Sequence, residues 1–243
     1  MTQGLIAVEG VTKRYGEVLA VDDVTLSIPA GQIYALVGAN GAGKSTLIRM
    51  IVGITEPDRG EVLICGEALS HRAPTTKRRL GYLPEDLILY EQLTGDEYLH
   101  LVAGLKEADA ARIPEELDFF ELSAFKNKLV GGYSLGMRKK LGLAAAMIGS
   151  PEALVLDEPL NGLDVEMMRK LRLRIKAERD RGRVVLVSSH VMSFVERVGD
   201  RIGIMRAGRL VAEGSSEELR TQTGLADEPF EDVFFKLTGW AED

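Results

Sequence analysis

Gly38-Ala39-Asn40-Gly41-Ala42-Gly43-Lys44-Ser45-Thr46 is the stretch from which the rest of this chain can be read. It follows Ile33-Tyr34-Ala35-Leu36-Val37, a short apolar run of strand type, and precedes Leu47-Ile48-Arg49-Met50-Ile51-Val52, which reads as a buried helix. Strand, Gly-rich turn, Lys-Ser and helix form the context of a phosphate-binding P-loop. The glycines let the backbone curl so that successive N–H groups converge on a polyphosphate, and the helix N-terminus adds favourable partial charge. In this reading Lys44 is a point charge for the β- and γ-phosphates, and Ser45 offers a hydroxyl to Mg²⁺. The motif implies a nucleoside triphosphate and leaves open what its energy drives.

A second stretch supplies chemistry to match. Leu154-Val155-Leu156-Asp157-Glu158-Pro159 puts two carboxylates at the end of an apolar strand. Strand C-termini line the ligand crevice of an α/β sheet. Asp157 is therefore a candidate for Mg²⁺, and Glu158 for taking a proton from an attacking water.

The bulk numbers narrow the setting. The chain has 243 residues, 45% of them hydrophobic, room for one large α/β domain or two small ones. With 30 basic and 37 acidic side chains its net charge is −7, which argues against non-specific nucleic-acid binding. The single cysteine, Cys65, has no internal disulfide partner and reads as a small buried hydrophobe in the run Glu61-Val62-Leu63-Ile64-Cys65. No apolar run approaches the roughly 18–20 residues of a membrane helix, and Met1-Thr2-Gln3-Gly4 does not open a signal peptide. A cytoplasmic protein is expected, reaching a membrane only through a partner.

Along the chain, Leu5–Glu9 and Asp23–Ile28 read as strands, with Thr12–Gly16 as a polar turn between them. His71–Arg79 reads as loop and short helix, and Leu80–Pro84 as a strand. From Thr94 to Ile148 the pattern is mostly helical: Thr94-Gly95-Asp96-Glu97 fits a capping box, Pro114 suits a first turn, and Ser134 can cap the helix carrying Leu141–Ile148. Strand character returns at Ala153–Asp157, Val184–Val187 and Arg201–Met205, with helices from about Val165 to Arg181 and from Met192. The charged Glu166–Arg181 helix reads as a solvated face. Short buried strands alternating with helices imply a largely parallel sheet covered on both faces. One core is expected from both chain ends, residues 1–85 and 150–243, interrupted by a helical insertion at about 86–149. No repeat or low-complexity tract is present.

With these motifs in order, the whole chain resembles the ATP-binding subunits of ABC transporters. Four stretches carry the resemblance. Tyr133-Ser134-Leu135-Gly136-Met137-Arg138 stands where that family has its Leu-Ser-Gly-Gly-Gln signature. Leu160-Asn161-Gly162-Leu163-Asp164 matches the D-loop, Ser188-Ser189-His190 the switch histidine, and Tyr15 the aromatic that stacks on adenine. The resemblance implies an α/β fold: a P-loop NTPase core with a mostly parallel sheet, an N-terminal antiparallel β region and an inserted helical subdomain. It implies an ATPase that binds ATP through Tyr15, Gly38, Asn40, Gly41, Ala42, Gly43, Lys44, Ser45 and Thr46. Ser134 and Gly136 would contact the γ-phosphate held by a second copy in a head-to-tail dimer around two ATP molecules. Catalysis falls to Glu158, His190 and Lys44, and Mg²⁺ to Ser45, Asp157 and Glu85. The partners implied are membrane permease subunits and a second copy, with no nucleic acid, at the inner face of the cell membrane.

Two departures from the family pattern stand out. Glu85, after Gly81-Tyr82-Leu83-Pro84, occupies the usual place of a Gln, and is expected to act as a metal-side ligand, directly or through water. Leu135 and Met137 replace a Gly and the Gln of the signature, which is tolerable if Leu135 points into the helical lobe. The Tyr-Ser-Leu-Gly-Met form, the upstream Gly-Tyr-Leu-Pro-Glu and the tail Glu231–Gly239 are similar to bacterial export-type systems, and no large regulatory domain is expected after that tail. The apolar stretch Asp86-Leu87-Ile88-Leu89-Tyr90 would either dock a permease helix or pack within the helical lobe. The competing classes are a soluble ABC ATPase acting on a ribosome or nucleic-acid complex, and a P-loop kinase or GTPase. The first usually brings two cassettes or coiled-coil insertions, and the second leaves the signature unexplained.

Overall fold

The computed structural model describes residues 5–69 and 74–239. The readings of His71 and of Met1–Gly4 lie outside them. The chain opens with β1 (Ile6–Tyr15) and β2 (Val18–Ile28), passes through β3 (Ile33–Val37) into α1 (Lys44–Ile51), and continues with β4 (Arg59–Ile64), β5 (Glu67–Ala68), α2 (Pro74–Arg78) and β6 (Leu80–Leu83). A helical stretch follows: α3 (Gly95–Lys106), α4 (Ile113–Phe119) and α5 (Leu135–Met147). The last part alternates as β7 (Ala153–Asp157), α6 (Val165–Asp180), β8 (Val184–Ser188), α7 (Met192–Val198), β9 (Arg201–Arg206), β10 (Arg209–Gly214), α8 (Ser216–Thr223) and α9 (Phe230–Thr238).

These strands make two sheets. The central one has the order β10-β9-β3-β8-β7-β6, parallel except for β10 at its edge. The other is antiparallel, in the order β2-β1-β4-β5. Both faces of the central sheet are covered, and the side chains of its middle strands show it. In β3, Ile33, Ala35 and Val37 belong to one core and Tyr34 and Leu36 to the other. In β7, Leu154 and Leu156 face the first, Ala153 and Val155 the second. This period of two with both faces apolar is why these strands read as continuous hydrophobic runs. The second core also holds Leu47, Ile48 and Ile51 of α1 together with the inner face of the antiparallel sheet.

The helical stretch starts and stops by local rules. Thr94 Oγ1 accepts from the Glu97 amide, and the Glu97 carboxylate accepts from the Thr94 amide, so the capping box is complete. Pro114 sits at the start of α4. Between α4 and α5 the chain is not helical but runs through short 3₁₀ turns at Ser123–Phe125 and Val130–Gly132. Buried Tyr133 reaches back to donate its hydroxyl to the Phe125 carbonyl.

Several sequence expectations need correction. Thr12–Tyr15 is strand, not turn: β1 continues with shifted register, and its polar residues are held by the Asp58 carboxylate, which accepts from Lys13 Nζ at 2.8 Å and from the Arg14 amide at 2.7 Å. Cys65 is not a buried strand residue. The strand ends at Ile64, Cys65 adopts a left-handed φ of 54° in the following turn, and its thiol faces Glu152 at 3.6 Å. The charged face of α6 is only partly solvated. Arg174 donates to Glu178 one turn on and to Glu116 of α4, and Arg181 and Arg183 also pair with Glu178. Glu116 and Glu178 are each 1% exposed, and Glu116 Oε2 is buried without a hydrogen-bond partner. Charge along a helix predicts solvation only when no neighbouring element covers it; here α4 does.

Candidate functional site

Sheet topology assembles the site before any side chain is considered. β3, β8, β7 and β6 are adjacent and parallel, so the segments leaving their C-terminal ends gather along one edge. From β3 comes the Gly38–Thr46 loop; from β8, Ser188-Ser189-His190; from β7, Asp157-Glu158; from β6, Glu85. A cleft of about 570 Å³ opens there, lined by Asn40, Gly41, Ala42, Gly43, Lys44, Ser45 and Thr46 together with Glu85, Asp157 and Glu158. Sequence reasoning missed its other wall. Val18, Leu19 and Ala20 of β2, and Ala207 after β9, also line it. Tyr15 is half-exposed at the end of β1, opposite Val18 in register, beside that wall and not among the lining residues.

The loop geometry depends on Gly43. Its φ is 102°, and a Cβ there would lie 2.3 Å from the Ala20 carbonyl oxygen, so only glycine fits. Lys44 begins α1 and is buried, with its Nζ donating to the Gly38 carbonyl at 2.7 Å and the Ala39 carbonyl at 3.2 Å. The ammonium thus lies inside the curl of the loop. The Ser45 hydroxyl lies beside Asp157, whose carboxyl is raised overall: burial and then the Glu158 charge push it up against the pull of Ser188, Lys44 and Ser45. A hydroxyl beside a carboxylate, at the mouth of a phosphate-sized loop, is a donor set that would suit a hard divalent cation such as Mg²⁺. No cluster of three or more acidic, His or Cys side chains that could cage a metal occurs among the described residues.

Ser188 is a further site residue that sequence reasoning did not single out. It is fully buried, donates to Asp157 Oδ1 and accepts from the Glu158 amide at 2.9 Å. The register explains it, because Ser188 lies opposite Asp157 across the β7–β8 pair. Glu158 has a left-handed φ of 46°, a strained conformation for a residue with a side chain. The hydrogen bond to Ser188 helps hold it there. His190 completes the group: its Nδ1 is 2.9 Å from Glu158 Oε2, while the ring remains mostly exposed.

Ser134 and Gly136 are not brought into this cleft. Ser134 is exposed at the N-cap of α5, its Oγ accepting from the Met137 amide at 3.2 Å. Gly136 packs so closely on the loop after Glu158 that a Cβ would lie 2.9 Å from the Gly162 carbonyl oxygen. Leu135 does not turn into the helical lobe, the condition under which its place in the signature was tolerable. It is 76% exposed, because the first turn of α5 presents that position outward beside Gly162. Asp164 caps α6 through the Met167 amide and lies 3.7 Å from Lys140. In Asp86–Tyr90 the packing reading holds for Leu87 and Leu89, which pack on the core, while Ile88 and Tyr90 are exposed.

The family profile described as "ABC transporter" matches residues 21–161. The chain belongs to the ABC transporter family. An uncharacterized ABC transporter ATP-binding protein of Nostoc sp. is 42% identical over 212 residues, 84% of this chain and 62% of the relative. The chain thus spans less than two thirds of that relative's length. The bacitracin transport ATP-binding protein BcrA of Enterococcus faecalis is 37% identical, over 88% of this chain and 70% of its own length. Among solved structures, the ATP-binding subunit of an ABC transporter superposes with a TM-score of 0.92 at 33% identity, covering 96% of this chain and 99% of that one. A dimeric bacterial ABC transporter cassette gives a TM-score of 0.81 at 27% identity, covering 86% and 98%. The fold is therefore that of an ABC ATPase cassette, and the chain is an ATPase of that family. Among the described residues no helix is long and apolar enough to cross a membrane.

Proposed function

We infer that this ABC cassette binds and hydrolyses ATP at the cleft between the Gly38–Thr46 loop and the Asp157–Glu158 strand end, in a head-to-tail dimer that drives export through a separate membrane permease. The observation that carries the reading is the separation of two half-sites. The phosphate loop, the metal-side groups and the Glu158–His190 pair share one cleft, whereas the Ser134–Gly136 helix start is exposed elsewhere on the same chain. A second copy, placed head-to-tail, brings its helix start to the γ-phosphate. The dimeric cassette and the bacitracin transport relative support this reading.

Lys44 and the loop amides hold the β- and γ-phosphates, with Tyr15 and the Val18–Ala20 wall offered to the adenine side. Mg²⁺, when bound with the nucleotide, offsets phosphate charge; Ser45 and Asp157 would hold it, with Glu85 at the metal side. Glu158 accepts a proton from the attacking water as the water oxygen bonds the γ-phosphorus and the bond to the β-phosphate oxygen breaks, releasing ADP and phosphate. His190 orients the Glu158 carboxylate and lies where it can donate to the transferred group. The helical insertion, about 86–149, moves relative to the core lobe, 1–85 and 150–243, as the dimer closes and reopens. Exposed Ile88 and Tyr90 are offered to a cytoplasmic helix of the permease, which chooses the substrate and holds the chain at the inner membrane face.

Sedimentation of Glu158→Gln with Mg-ATP tests the dimer. The expected result is a doubling of mass that Lys44→Ala abolishes. A monomer at every ATP concentration would overturn the head-to-tail reading. Co-purification of the chain with a membrane protein tests the permease.

A further inference from the structure

The cleft that receives a polyanion already carries the carboxylates of Asp157, Glu158 and Glu85, with Lys44 as the lysine among its lining residues. Three carboxylates facing a triphosphate would repel it unless cations offset them. Two cations outside the loop, Arg138 and Lys139, share an adjoining cleft with Glu85, and the Arg138 guanidinium is already paired with Glu91 at 2.7 Å. Lys139, in the second turn of α5, is 5% exposed, an uncommon position for an ammonium group. Among the described residues its ammonium makes no hydrogen bond and has no carboxylate at ion-pair distance. It lines a separate cleft of about 350 Å³ together with Glu85, Asp86, Leu135 and Asn161. Glu85 lines both clefts and so stands between Lys139 and the phosphate loop.

We propose that Lys139 is the positioning residue for Glu85: its buried charge holds that carboxylate at the rim of the phosphate cleft and offsets it, so that a third acid can face the nucleotide. The electrostatics fit. Burial pushes the Lys139 pKa down, and the carboxylates of Asp157, Glu158, Glu85 and Asp86 hold it up. An ammonium at the wall of that cleft, with four acids as its opposite charges and none in contact, acts through its field and needs no fixed hydrogen bond to do so. Lys44 differs, because its ammonium is already engaged by two loop carbonyls and faces the phosphates from inside the curl.

This proposal rests on the nucleotide site described above, and the test separates the two. The affinity of the purified chain for a fluorescent ATP analogue is measured with and without Mg²⁺, alongside its melting temperature. The variants are Glu85→Gln, Lys139→Met, Lys139→Arg, the double Glu85→Gln/Lys139→Met, and Lys44→Ala. Lys139→Met should weaken Mg-nucleotide binding about tenfold and Lys139→Arg should restore it, since coupled neighbours commonly interact on that scale. In the double variant the loss of affinity should be no greater than in Glu85→Gln alone, because without the Glu85 charge Lys139 has no carboxylate to hold there, while the melting temperature lost with Lys139 is not regained. Additive losses in the double variant, or unchanged binding in Lys139→Met, would overturn the proposal. If Lys139→Met does not fold, Lys139→Gln replaces it in the same cycle. Failure of the parent chain to bind the analogue, or retention of binding by Lys44→Ala, would instead overturn the nucleotide site itself.

Discussion

His190 Nδ1 lies 2.9 Å from Glu158 Oε2, joining the segments that leave two neighbouring strands. The two side chains therefore act as one unit. Glu158→Gln is expected to lower kcat by about 10²–10⁴-fold, because an amide cannot take the proton from water. His190→Ala lowers it too, and the double variant should be no slower than Glu158→Gln alone. Steady-state ATPase assays on the four proteins check this; multiplying losses would show that the residues act independently.

The composite sites proposed above predict complementation between inactive chains. Ser134→Asp keeps a good helix cap on α5 but aims a negative charge at the partner's phosphate. Lys44→Ala removes the phosphate-binding cation. Each variant alone should be nearly inactive. A mixed dimer holds one intact pairing of loop and helix start, so a mixture at equal concentration should recover roughly a quarter of parental ATPase activity, the activity of a single working site in half the dimers. Activity in the mixture no higher than in either variant would place both groups in one chain's site.

The Arg174 guanidinium bridges Glu116 of α4 and Glu178 of α6 with almost no exposure to water. Arg174→Met leaves two buried carboxylates short of a partner and should destabilise the chain by about 3–5 kcal/mol at pH 8. Burial, which outweighs the pull of Arg174, already raises the Glu116 pKa above the usual carboxylate range. A raised carboxyl binds its proton more tightly in the folded chain than in the unfolded one, so folding gains as pH falls through the raised pKa toward 4.5. Losing Arg174 raises that pKa further. The penalty measured by urea unfolding should therefore shrink between pH 8 and pH 5.5; a penalty that grows would reverse the assignment.

Burial and the Glu152 carboxylate push the Cys65 thiol from 9.0 up to about 11. At pH 8 its thiolate fraction is then about a hundredfold below that of an unburied cysteine. Alkylation of the native chain by iodoacetamide should be correspondingly slow and rise to the free-cysteine rate in urea. As Cys65 is the only cysteine, a simple thiol titration reads it directly.

What could be read from sequence was what local rules decide. The Gly38–Thr46 loop needs only its flanking strand and helix, and the Thr94 and Ser134 caps need only the next turn. Asp157-Glu158 announces itself at the end of an apolar strand. Ser188 was different: its role follows from lying opposite Asp157, and pairing partners are not written in either strand alone. Glu116 and Arg174 are 58 positions apart, so a charged α6 face gave no sign of the cover supplied by α4. Leu135 faces outward because of where Gly162 sits, again a relation between distant segments.

The near-contact between Gly136 and the Gly162 carbonyl has a mechanical consequence. No hydrogen bond ties the two backbones there, and the space admits a hydrogen atom but not a methyl group. Such a contact resists compression and offers nothing against separation. It works as an end stop: the first turn of α5 cannot press further onto the loop that carries Gly162. The approach of that turn to the loop is thus bounded by two glycines, and Gly136→Ala would push the two apart with no bond made or lost.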